Sequence, residues 1–89
     1  MAKIDIYTKP WCSYSGRAIN MLIRRGLAFN EINITSDTGR ENEMKKRSGR
    51  NTVPQIFIDH VHIGGSDDLF LADKSGLLAK LVSSENRAT

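Results

Sequence analysis

The chain has one cysteine, two prolines and one tryptophan among 89 residues. A small domain with a single thiol holds no internal disulfide, which argues against a secreted, disulfide-stapled scaffold and fits a reducing compartment. No stretch is apolar for long enough to span a bilayer, so no membrane association is expected. The opening residues Met1-Ala2-Lys3-Ile4-Asp5 lack the apolar core of a secretory signal, and the expected location is cytoplasmic. There is no large excess of one charge: the net charge of +3 comes from scattered Lys and Arg, with one denser run at Lys45-Lys46-Arg47 followed by Arg50. No aromatic residue is interleaved with that run to stack on bases. It reads as a solvated helix face and not as a nucleic-acid footprint. Repeats, low-complexity tracts and linker-like stretches are absent, and 89 residues are too few for two domains, so residues 1–89 form one unit. Its polar tail, 83–89, is expected to fray. A core this small leaves any ligand site on the surface or rim.

What is present alternates strand and helix signals. Lys3 to Thr8 places Ile4 and Ile6 on one face and predicts a strand, which Lys9-Pro10-Trp11 breaks. From Ser13 the period becomes helical: Ala18, Met21, Leu22 and Arg25 share a side, Ile19 and Ile23 lie beside it, and Gly26 marks the stop. A second strand is predicted near Ala28 to Ile34. Strand, helix, strand makes a right-handed βαβ unit with the two strands parallel. A polar helix is predicted from about Gly39 to Ser48, with Thr38 and Glu41 at capping-box spacing and only Met44 as a clear apolar contact. Gln55 to Asp59 and Val61 to Gly64 are close enough to require an antiparallel hairpin. Ser66-Asp67-Asp68 then supplies N-cap chemistry for a last helix with Leu69, Phe70 and Ala72, and Leu77, Leu78, Leu81 and Val82 close the core after Gly76. The predicted class is α/β: a mixed four-stranded sheet flanked by three or more helices, in the order β-α-β-α-β-β-α.

A lone cysteine is more often a small buried hydrophobe than a nucleophile. Cys12 differs by position: it follows a strand and opens an amphipathic helix, where free N–H groups and the helix dipole favour an anion. Lys9 adds a positive charge nearby. Both effects favour thiolate, the species that attacks disulfides. Trp11 and Tyr14 flank the sulfur and either shape a groove or serve packing. Ser66 and Asp67, at a helix N-terminus, cap that helix and also suit a ligand carrying both a carboxylate and an ammonium group. Thr52-Val53-Pro54, read by itself, is a strand entry. His60 and His62 lack a further ligand at metal spacing and read as surface or strand residues.

These residues carry a family resemblance. Lys9-Pro10-Trp11-Cys12-Ser13-Tyr14-Ser15 resembles the active-site segment of glutaredoxins, usually Cys-Pro-Tyr-Cys or a close variant. Thr52-Val53-Pro54-Gln55-Ile56-Phe57-Ile58 resembles the family's second signature, and Gly64-Gly65-Ser66-Asp67-Asp68-Leu69 its third. The three stand in the family's order and spacing and span nearly the whole chain. The resemblance implies a thioredoxin-like fold and a glutathione-dependent thiol–disulfide oxidoreductase with Cys12 as nucleophile and Lys9 favouring its thiolate. It implies a cis Pro54 opposite Cys12, with Thr52 orienting that segment and the Val53 backbone free to pair with glutathione. Lys9, Cys12, Tyr14, Thr52, Val53, Pro54, Gly65, Ser66 and Asp67 are then the expected glutathione-binding residues. The glycyl carboxylate of glutathione falls toward Lys9 and, as a guess from the second helix, Arg40.

Two departures shape the expected mechanism. Ser15 and Ser66 stand where many members carry further cysteines, so no intramolecular disulfide can form and a monothiol route follows. Some natural members carry Cys-Ser-Tyr-Ser; serine at both positions also fits engineered replacement of cysteine. Expected partners are glutathione and glutathionylated proteins or small disulfides, with the chain a monomer. The alternative implied by the family is a [2Fe–2S] cluster shared by two chains, each giving Cys12 and one glutathione thiol. An inert interaction module of the same fold, with an unreactive Cys12, is the third reading.

Overall fold

β1 (Ile4–Thr8) is buried along its whole length. In this computed structural model, which describes residues 3–87 and their side chains as far as Val82, it lies inside a four-stranded sheet. The strand order is β2-β1-β3-β4, with β2 (Asn30–Asn33), β3 (Gln55–Ile58) and β4 (Val61–Gly64). β1 and β2 are parallel, as the intervening helix requires, whereas β3 is antiparallel to both β1 and β4. The β3–β4 hairpin slips register between Ile56 and Phe57, so that Ile56 faces Gly64 and Phe57 faces His62. Ile63 is the extra residue, and in the regular part of the hairpin His62 stacks on the Phe57 ring. This is the thioredoxin-like arrangement.

Alternation along β1 divides the core. Ile4 and Ile6 point with Ile56 and Ile58 to one face. There they meet Ala18, Met21 and Leu22 of α1 (Ser13–Arg24), Leu69 and Ala72 of α3 (Ser66–Ser75), and Leu78 of α4 (Leu77–Arg87). Tyr7 and Phe57 point to the other face and pack with Ile34 and with Met44 of α2 (Thr38–Ser48). The last predicted helix is two, because Gly76 adopts φ +87° and ends α3 before Leu77 begins α4. The α4 backbone is helical to Arg87; the side chains from 83 and residues 88–89 lie outside the described residues, and so does the predicted fraying.

Three local expectations are corrected. The α2 cap is Asp37, whose carboxylate accepts the Arg40 N–H at 3.0 Å; Thr38 is already helical, so the Thr38–Glu41 capping box does not form. At α3 the N-cap is Gly65, and Asp68 reaches back to accept the Gly65 N–H at 2.9 Å. Ser66 therefore begins the helix instead of capping it. Third, Arg47 lies on the exposed face of α2 as expected but is not merely solvated there. It donates to Asp5 at 3.3 Å and Tyr7 at 2.8 Å and stacks over the Phe57 ring at 4.0 Å. Tyr7 donates in turn to Glu43. The buried polar side of β1 explains this: Asp5 and Tyr7 need partners under α2, and Arg47 and Glu43 reach them.

Candidate active site

Cys12 is the N-cap residue of α1, extended at φ −88° and ψ 115°. Its N–H donates to the Lys9 carbonyl at 3.1 Å, closing the turn that Pro10 and Trp11 form between β1 and α1. The sulfur is half-buried, and its thiol donates to the Val53 carbonyl at 3.7 Å. Burial alone pushes the thiol up. The Ser15 N–H, the Ser15 hydroxyl, the Tyr14 N–H and the Lys9 charge outweigh it, and the Cys12 pKa falls below the ordinary thiol value. Three of these four influences belong to the first turn of α1, whose N–H groups have no acceptor within the helix.

Ser15 sits on that turn and is 2 % exposed. Its Oγ is a buried side-chain atom without a hydrogen-bond partner among the described residues. A thiol that donates to Val53 gives the hydroxyl nothing strong to bond, whereas a thiolate is an acceptor for it. Ionisation of Cys12 thus satisfies both groups.

Across from the sulfur, the Val53–Pro54 peptide bond is cis. The Val53 N–H has no protein acceptor among the described residues. From there a groove of about 170 Å³ runs to the N-terminus of α3, with Tyr14, Thr52, Val53 and Pro54 on one side and Gly65, Ser66 and Asp67 on the other. The fold thus brings together seven of the nine residues expected to bind glutathione; Cys12 adjoins the groove through Val53. Lys9 acts on the sulfur by its charge but does not line the groove. Tyr14 is 52 % exposed, with the Arg17 guanidinium 5.9 Å from its ring centre, and Trp11 is 86 % exposed. Both flank the sulfur at the surface and neither is core.

Arg40 is not brought to this site. It pairs with Glu43 at 3.0 Å and lines a hollow of about 690 Å³ beside β2 and α2. That hollow is the larger cavity, yet much of its charge is internally paired, as in Arg47 with Asp5 and Arg40 with Glu43. The guanidinium that lines the groove is Arg50, 3.2 Å from Asp68. Asp68 is held below the usual carboxylate range chiefly by the Gly65 N–H, with Arg50 adding to it against burial. Sequence reasoning missed Arg50 and Gln55. The signal for Arg50 was its place after the Gly49 helix stop and two residues before Thr52. Among the described residues no cluster of three or more His, Cys, Asp or Glu can hold a metal ion, and no helix is long and apolar enough to cross a membrane.

The glutaredoxin family model matches residues 4–63, a span that includes Cys12 and the Thr52–Pro54 segment. Glutaredoxin 3 of Escherichia coli K12 is 50 % identical over 82 residues, covering 92 % of this chain and 99 % of that protein. The solution structure of a Brucella melitensis glutaredoxin superposes with a TM-score of 0.79 at 48 % identity, covering 91 % of this chain and 88 % of the other. A buckwheat glutaredoxin in complex with glutathione shares the fold at a TM-score of 0.84 and 22 % identity, covering 93 % and 78 % of the two chains. A thiol at a helix entry, set against a cis-proline loop and matched over nearly the whole length of its relatives, places this chain in the glutaredoxin family of glutathione-linked thiol oxidoreductases.

Proposed function

We propose that the protein reduces mixed disulfides of glutathione with protein or small-molecule thiols by a monothiol route through Cys12. The Cys12 thiolate attacks the glutathione sulfur, the substrate's S–S bond breaks, and the substrate leaves as a thiolate that takes up a proton. A Cys12–glutathione disulfide remains. A second glutathione thiolate attacks the bound glutathione sulfur, releasing glutathione disulfide and the Cys12 thiolate. The observation that carries this reading is one thiol, its pKa lowered by the first turn of α1, against the Val53 carbonyl at the head of a groove, with the Ser15 hydroxyl where an intramolecular disulfide would need a second sulfur.

The groove supports the binding side of the reading. The unpaired Val53 N–H suits strand-like pairing with the cysteinyl part of glutathione. The first N–H groups of α3 suit its γ-glutamyl carboxylate, and Asp67 its ammonium group. Lys9 and Arg50 are the cations toward which the glycyl carboxylate would lie. Glutathionylated proteins as substrates, a monomeric state and a cytoplasmic location belong to the same proposal.

The test is reduction of a glutathionylated peptide by glutathione, coupled to glutathione reductase. Turnover is expected in the unaltered protein and none in Cys12→Ser. Residual turnover in that variant would remove Cys12 from the mechanism. The alternative, a [2Fe–2S] cluster ligated by two Cys12 thiolates and two glutathione thiols, is read in the same preparation. A visible absorption band after purification without oxygen, coeluting with a dimer and lost in Cys12→Ser, would favour it.

A further inference from the structure

His62 plays no part in the chemistry above, yet it makes one of the shortest side-chain contacts near the groove. Its Nε2 lies 2.7 Å from Gln55 Oε1. Gln55 is 1 % exposed, and its Nε2 donates to the Thr52 carbonyl at 3.1 Å and lies 3.2 Å from Thr52 Oγ1. We propose that His62 is a positioning residue for glutathione: through Gln55 it holds the Thr52-Val53-Pro54 loop at the spacing from Cys12 that the ligand's backbone pairing requires. The inference rests on the proposed glutathione reading of the groove.

Hydrogen-bond chemistry gives the relay a direction. The Thr52 carbonyl can only accept, so the amide nitrogen of Gln55 must face it and Oε1 must face His62. Oε1 can only accept as well, so His62 Nε2 carries the proton. Each link is then a donor meeting an acceptor: His62 to Gln55, and Gln55 to Thr52. The ring is fixed in its own plane by stacking on Phe57, at 4.8 Å between ring centres and 29° between planes. The regular pairing of Phe57 with His62 across the β3–β4 hairpin sets the two rings side by side. The loop itself is outside the sheet ladder, because β3 begins only at Gln55. Thr52 is exposed and Val53 half-buried, so Gln55 supplies from inside the fold the anchorage that the loop lacks in its own backbone.

Substitutions separate positioning from folding. His62→Phe keeps a flat ring on Phe57 and loses the donor; His62→Gln returns an N–H at nearly the same reach. In the deglutathionylation assay, His62→Phe is expected to raise KM for the glutathionylated peptide about fivefold, the value of one ordinary hydrogen bond, with kcat and the Cys12 alkylation rate by iodoacetamide within about twofold. His62→Gln is expected to restore KM. An unchanged KM in His62→Phe, or an equal loss in both variants, overturns the proposal. A second readout does not depend on turnover. In the unaltered protein, ¹⁵N NMR should find the neutral His62 ring protonated at Nε2 and not at Nδ1; the Nδ1–H tautomer overturns the relay even if the enzyme is active. Absence of turnover in the unaltered protein would instead sink the functional reading, with the tautomer still deciding the relay.

Discussion

Ser15 excludes a disulfide with Cys12 while its own N–H and hydroxyl favour the thiolate. Serine cannot form a disulfide with Cys12, but its buried hydroxyl is a donor one helical turn away. Leaving a buried polar group unpaired costs on the order of 1–3 kcal/mol, and the thiolate relieves that cost while the thiol does not. Ser15→Ala should therefore move the midpoint of the Cys12 alkylation pH profile upward. The sign follows from the acid–base form: a donor lost from the thiolate leaves the thiol favoured. Below both midpoints alkylation should slow by roughly fivefold, whereas above them, where both proteins are thiolate, the rates should agree. Stopped-flow or mass-spectrometric alkylation across pH 5–10 checks this. An unshifted profile would leave the backbone N–H groups and Lys9 as sufficient. Cys12 and its neighbourhood were legible in the sequence because every charge and hydrogen-bond donor that favours its thiolate lies within three residues of it. The orphaned state of Ser15 was not, since burial of a serine on a helix depends on what packs over it.

At the scale of elements, the groove depends on how α3 begins. Gly64 adopts φ +120°, and a Cβ there would come within 2.2 Å of Asp68 Oδ2, so the glycine makes room for the side chain that reaches back to the Gly65 N–H. The Gly64-Gly65 pair was read correctly as the end of β4, but the identity of the cap was not. Ser66 has the right chemistry for a cap, yet the chain turns one residue earlier and the more distant Asp68 closes the turn. Boundaries are decided by backbone closure, which composition alone resolves to within a residue or two. Asp68 has a depressed pKa, so its contribution is present above the ordinary carboxylate pKa and disappears as pH falls through the folded value. Asp68→Asn keeps an acceptor but removes the charge at the helix N-terminus. The variant should be less stable at pH 7 by about 0.5–1 kcal/mol, since the Arg50 partner is surface-exposed and adds little. Thermal unfolding at pH 7 and again near pH 2.5 checks the sign: the gap in Tm should close at the lower pH. A gap that persists in acid would mean that shape, and not charge, makes the difference.

For the molecule as a whole, two cores on opposite faces of one sheet hold the site together. Leu22 lies in the larger one, fully buried between α1 and the strands, on the helix whose first turn holds Cys12. Leu22→Ala should cost about 2–5 kcal/mol, a large fraction of the ~5–15 kcal/mol typical of a domain, and lower the urea midpoint accordingly. A loss below about 1 kcal/mol would show that α1 is held mainly by its neighbours on α3 and α4. By itself the sequence determined the strands and all but the α3–α4 break among the helices, the parallel and antiparallel pairings, and the placement of the thiol at a helix entry. These follow from periodicity, turn residues and backbone sterics acting over a few residues. Only the tertiary structure decided that Arg50 and not Arg40 borders the groove, that Arg47 serves Asp5 and Tyr7, and that His62 reaches Thr52 through Gln55. Cys12 meets Val53 across 41 positions of sequence. Such meetings depend on strand order, register and which sheet face a side chain takes, and one slipped residue in β4 is enough to change them.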